Sequence, residues 1–225
     1  MTQTKNKAKI FSVVYVIAVL VAFAAILIVP QSREWFKAAS NSHPFFMGFA
    51  KFALLATAGE LIAALISRGS FSLPVKLVWR FIIWGLIGVW ITFMMKVYGA
   101  AAAALMSNGT LPGGSNAFLK ALYTSVMMNT TFGPTFMAVH KCTDKLLELR
   151  AAKQPAGLKA VVSGIDWSVF AGFTIAKTVP FFWIPAHTVT FLLPAEYQVI
   201  MAAALSVALG IILSLSRRKT AKEGN

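Results

Sequence analysis

Three ionisable residues stand inside long apolar runs: Glu60 in "FALLATAGELIAALISRG", Arg80 in "VWRFIIWGLIG" and Lys177 in "FTIAKTVPFFW". In hydrocarbon, an ionised side chain at mid-depth costs roughly 2.5–3.5 kcal/mol. Each therefore needs a partner, a route to an interface, or water. Glu60 falls in the inner half of the second apolar run, and Arg80 enters the third from the same side after a short connection. An ion pair between them is expected, either as a dock between two helices or as part of a solute path; the alternative is a neutral, protonated Glu60. Ala53, Ala56, Glu60 and Ala64 fall near one helical face, so small side chains surround the carboxylate. They would let another backbone approach closely or leave room for water.

Other polar residues follow helical spacing. Lys120, Thr124, Thr131 and Thr135 fall within a narrow arc at 3.6 residues per turn. They read as a lumen-facing stripe, or as threonines that bond their own helix. Asp166 and Lys177, eleven apart, also share a face. Lys51, Lys96 and Lys120 lie near the outer ends of their runs, where lysine stems snorkel or where a ring of cations would favour anions at a mouth. Pro180, Pro185 and Pro194 each lack an amide donor and free carbonyls one turn earlier; His187 and its neighbouring threonines could satisfy them. Ser206, Gly210 and Ser214 read as a packing seam. His43, His140 and His187 lie in separate segments, so no metal cluster is expected. No nucleophile–base pair and no phosphate-cradling glycine loop stands out, "PGGS" being a turn. No catalysis, cofactor or metal is expected.

The elements that must position these residues follow from hydropathy. Of 225 residues, 58% are hydrophobic and 12% charged, against about 25% charged in soluble domains. Runs of about 20 apolar residues, each able to cross about 30 Å of hydrocarbon, recur along the chain. The reading is an all-α, multi-pass transmembrane bundle of about six spans: Ile10–Val29, Phe46–Ile66, Val78–Met106 (with a break near Gly99), Phe118–Val139, Val161–Leu193 (proline-broken) and Tyr197–Leu215. The net charge of +14 suggests nucleic acid, but its distribution argues against that partner. With the N-terminus inside, Lys5, Lys7, Lys9, Arg68, Lys76, Lys141, Lys145, Arg150, Lys153, Lys159 and Arg217 to Lys222 all fall on the inner side. The outer loops hold Arg33 and Lys37. This is the positive-inside pattern. The first apolar run lacks a polar cleavage region and reads as an uncleaved span. The single Cys142 excludes an internal disulfide.

Two stretches carry a family resemblance. In "HPFFMGFAKFALLATAGE", His43-Pro44 is followed by Gly59-Glu60; in "FWIPAHTVTFLLPAEYQV" and the Leu-Ser beyond it stand Trp183, Pro185, Phe191, Pro194, Tyr197, Leu213 and Ser214. This pattern resembles the Mpv-seventeen / peroxisomal membrane protein family of small membrane channel proteins, over about His43 to Ser216. Glu60 stands where that family has Asp, Ala64 and Thr190 replace its usual Gln and Asn, and Gln198 stands where Arg is common. The family's Asp-Gln pair is absent around Ser125.

The resemblance implies a pore for small solutes, with Glu60 in the place of the family's acid. The expected organisation is one membrane domain over residues 1–225: an extra N-terminal span and outer loop (1–42), a helical core (43–216) and a basic tail (217–225). The expected function is passage of small hydrophilic solutes with an anion preference. Glu60, Arg80, Lys177, Lys120, Thr124, Thr131, Thr135 and His187 are its interior polar candidates, and Lys51 and Lys96 stand at the outer mouth. The alternatives are a structural or accessory membrane protein and an ion-coupled secondary transporter. Expected partners are the lipid bilayer and small solutes, with assembly into a homo-oligomer left open. The expected location is a bacterial inner membrane with both termini cytoplasmic, or a mitochondrial inner membrane.

Overall fold

The computed structural model describes the backbone of residues 2–68 and 76–223, and side chains at 9–66, 76–212 and 215. The side chains of the basic termini, of Arg68, of Leu213 and of Ser214, invoked above, lie outside the described ones. Among the described residues there is no strand. The elements in order are α1 (Thr2–Ile28), α2 (Pro30–Ser42), α3 (Pro44–Arg68), α4 (Leu77–Ser107), α5 (Ala117–Met127), a π-helical turn π1 (Met128–Phe132), α6 (Gly133–Ala151), α7 (Leu158–Ser163), α8 (Trp167–Val169), a second π-helical segment π2 (Phe170–Trp183), α9 (Ile184–Leu192) and α10 (Ala195–Glu223).

Among the described residues, five helical runs are long and apolar enough to cross a membrane: Lys9–Ile28, Pro44–Ile66, Leu77–Ser107, Trp167–Leu192 and Ala195–Ile212. The protein is therefore an all-α, multi-pass membrane protein, with five such runs rather than six. The expected span Phe118–Val139 is divided by π1 into the 11-residue α5 and α6, whose second half is charged. The expected break near Gly99 is absent, since α4 continues unbroken for 31 residues. The run expected over Val161–Leu193 starts at Trp167 instead, because α7 is a separate short helix.

The chain forms two compact units, residues 1–90 with 199–225 and residues 91–198. In the first, α1, α2 and α3 pack on one another. Ser12, Val16 and Val19 of α1 are buried at helical spacing, and the Tyr15 hydroxyl donates to the Leu54 carbonyl at 3.1 Å. The opposite face of α1 exposes Ile10, Val14, Ile17 and Val21, as hydrocarbon requires. The stretch read as an outer loop is the helix α2. Pro30 opens it, a position where proline's fixed φ and missing amide do no harm. Its Phe36 and Ser40 turn inward and Trp35 outward, the pattern of a helix lying at a membrane interface. Helices α3 and α4 cross through glycines: a Cβ at Gly88 would collide with the Gly48 carbonyl oxygen, and one at Gly85 with the Phe49 ring. Val207 of α10 sits 2.6 Å from where a Gly59 Cβ would be.

In the second unit α5 packs along α9, and π1 touches π2. Asn116 caps α5, its side-chain oxygen accepting from the Leu119 amide at 3.0 Å. Both π segments end at an aromatic residue two positions before a proline: Phe132-Gly133-Pro134 and Trp183-Ile184-Pro185. In an α-helix a proline ring would strike the carbonyl four residues earlier. Widening the preceding turn to π spacing moves that carbonyl away.

The glycine crossing yields a direct test. Gly88→Ala is expected to lower stability by about 1–3 kcal/mol, the usual range for overpacking, whereas Gly99→Ala, with nothing within 4 Å of its Cβ position, is expected to be neutral or mildly stabilising. Unfolding titrations in mixed micelles would read both; equal effects would contradict the crossing.

Candidate functional site

The first unit holds a carboxylate centre. Glu60 lies in the second half of α3 and Arg80 one turn into α4. The Arg80 guanidinium donates through Nη1 to Glu60 Oε1 at 3.1 Å, and the Trp84 indole N–H donates to the same oxygen at 2.8 Å. Arg80 and Trp84 are four apart, so one face of α4 presents both donors. The side chains of Arg80 and Glu60 keep 16% and 20% of their exposure: the pair is partly covered, not sealed. Sequence spacing had brought Glu60 and Arg80 together; Trp84, one turn beyond the arginine, was missed. Ala53, Ala56 and Gly59 on α3 are buried, so the small face does admit close neighbours.

Lys51 differs from its expected place at a wet outer mouth. It is only 4% exposed, its Nζ donates to Ser40 Oγ at 2.9 Å, and it stands 4.3 Å from the centre of the Phe36 ring. The reason is α2. A loop would have left the ammonium in water, whereas the amphipathic helix lays a hydroxyl and an aromatic face over it.

The second unit holds a neutral polar centre. Ser125, Asn129 and His187 are buried. Asn129 Nδ2 donates to the Ser125 carbonyl at 2.8 Å, and its Oδ1 stands 3.0 Å from His187 Nδ1. With the amide nitrogen committed to Ser125, the oxygen accepts, so His187 carries its proton on Nδ1. Ser125 Oγ and Thr188 Oγ1 both donate to the Ile184 carbonyl at 2.7 Å, which satisfies backbone beside Pro185. The His187 ring stacks on Trp183 at 5.2 Å. Asn129 lies in π1 and His187 follows π2, so the two proline-relieved turns bring these side chains opposite each other. His187 was a candidate from sequence; Asn129 and Ser125 were not, although a polar pair four apart in an apolar run, five residues before a proline, is a visible signal.

The threonine stripe does not persist as one face. Thr124 is buried, while Lys120, Thr131 and Thr135 are exposed. The extra residue in the π1 turn sets later positions back by about 100°. The hydroxyls of Thr124 and Thr131 donate to their own helix at Lys120 and Met127 carbonyls, 2.7 and 2.6 Å away. Thr131 also meets Tyr98 Oη at 2.6 Å. Asp166 and Lys177 are not a helical pair either, because π2 replaces the α spacing between them. Asp166 instead caps α8, accepting from Ser168 Oγ at 2.6 Å and the Val169 amide at 2.9 Å. The Ser168 hydroxyl, then the Val169 amide, hold its carboxyl below the usual carboxylate range. Lys96, Lys120 and Lys177 all lie on the exposed surface of the second unit.

Comparison with family models, curated proteins and solved structures found no match to this chain.

A double-mutant cycle tests the neutral centre. Asn129→Ala and His187→Ala are expected to couple by about 1 kcal/mol, as interhelical hydrogen bonds in membrane proteins do, in stabilities measured by unfolding in micelles. Strict additivity would mean the two side chains do not act together.

Proposed function

We propose that this protein forms a channel-like path for small hydrophilic solutes, preferring anions, and that it works without enzymatic chemistry. The observation that carries the reading is the Glu60 centre. An ionised pair is kept inside two membrane-spanning helices at 3.1 Å, and each member keeps some exposure. A purely structural membrane protein could fill those positions with apolar residues at no loss, since buried ion pairs seldom add net stability. Intramembrane ionisable groups belong by default with pathways and relays. The anion preference rests on the basic residues Lys96, Lys120 and Lys177, all exposed on the second unit, while Lys51, already covered, drops out of it. The motif resemblance around His43–Glu60 and Trp183–Pro194 supports the same reading. Both termini on the cytoplasmic face requires an even number of crossings, which the five runs reach with α5–π1–α6 as a sixth; the positive-inside pattern of the sequence supports that arrangement, as in a bacterial inner membrane.

A second reading has its own observation. Gly59, Gly85 and Gly88 are filled against by neighbouring side chains or backbone, as expected where charges serve helix docking in an accessory protein.

Planar-bilayer recordings of the purified chain decide between them. The channel reading expects unitary conductance, a reversal potential in a salt gradient displaced toward the anion equilibrium, and a changed conductance in Glu60→Gln at unchanged fold. Silent bilayers, with Glu60→Gln losing stability only, would favour the docking reading. A cation-selective current would overturn the anion preference while leaving the path.

A further inference from the structure

The connection from α6 to α8 carries a surface that the path does not use. Between residues 141 and 166 the chain has five basic and three acidic side chains, and all three acids are engaged. Glu148 accepts from Lys145 at 2.7 Å, Asp144 faces His140 Nε2 at 3.6 Å, and Asp166 caps α8. Lys141, Arg150, Lys153 and Lys159 are exposed, with no ion pair among the described residues.

Apolar side chains stand among these cations. Leu158 is 80% exposed, and Val162 and Trp167 also reach the surface, although Leu147 of α6 and Val161 of α7 bury their own side chains. The backbone here is ordered by hydrogen bonds. Lys153 takes a positive φ of 56° at the end of α6, and the Gln154 amide returns to the Leu149 carbonyl at 2.9 Å. The Trp167 indole donates to the Val162 carbonyl at 2.9 Å. The membrane-length run begins at Trp167 itself, so this patch is placed at the height of lipid headgroups.

We infer that the α6–α8 connection is a docking surface for anionic phospholipid headgroups, with Arg150, Lys153 and Lys159 taking the phosphates and Leu158 and Val162 entering the acyl boundary. A solvated loop would need the cations alone. Exposed leucine and valine beside them, at the start of a span, match an interface that is apolar below and negative above. Charge complementarity selects anionic over zwitterionic lipid, and each basic residue near such a surface contributes a factor of about five in affinity.

Hydrogen exchange of the full chain in nanodiscs tests this. Amides 153–163 are expected to exchange at least about tenfold more slowly in discs containing phosphatidylglycerol than in pure phosphatidylcholine. The triple variant Arg150→Gln, Lys153→Gln, Lys159→Gln should abolish that difference, and Leu158→Ser should reduce it with all charges kept. These side chains are exposed, so the fold is expected to persist, which exchange elsewhere in the chain would verify. Equal exchange in both lipids, protection that survives the triple variant, or the same protection from inorganic phosphate in zwitterionic micelles would each overturn the proposal.

Discussion

The constraint on which the rest depends is that a hydrocarbon interior offers no hydrogen bonds and no counter-ions. Every polar group carried into it must find its partner in the protein. The carboxylate of Glu60 meets this demand through one charged and one neutral donor on a single face of α4. Those donors reach it because α3 and α4 cross closely at Gly88, against the Gly48 backbone and the Phe52 Cβ. A larger residue at Gly88 would move the arginine and the indole away together. The ion pair and the glycine crossing are thus one device: small residues set the approach, and the approach sets the electrostatics.

The same demand explains the second unit by another chemistry. Prolines at 134 and 185 remove backbone donors where hydrocarbon would punish the loss. The chain widens the preceding turns to π spacing, and next to Pro185 the Ser125 and Thr188 hydroxyls converge on the Ile184 carbonyl. The widened turns also turn Asn129 toward His187. A neutral hydrogen-bonded pair needs no counter-ion. Its surroundings are accordingly aromatic, with Trp183 and Phe191 against the imidazole.

Hydropathy made the helical, multi-pass class legible, because a 20-residue apolar run has few other solutions. The Glu60–Arg80 pairing was legible for a related reason: two spans joined by a short connection bring equal depths together. What sequence spacing could not give was phase across a π turn. The lysine–threonine arc at 120–135 and the Asp166–Lys177 register both assumed 3.6 residues per turn; π1 shifts the phase of the arc after Met127, and the 14-residue π2 replaces that spacing along most of the second. Lys51 was misread because α2 has too few apolar residues to signal a span, yet enough on one face, Phe36 among them, to fold over a lysine. Asn129 was hidden because an amide in an apolar run has no spacing of its own; only its partner across the bundle identifies it.

The most direct measurement is a comparison of Arg80→Met with the double variant Arg80→Met, Glu60→Met, each unfolded reversibly in micelles at neutral pH. If Glu60 is tolerated because α4 covers its charge, removing the arginine alone should cost about 3–5 kcal/mol, and removing both charges should restore most of that stability. A double variant as unstable as the single, or less stable, would show that the carboxylate never depended on its partner.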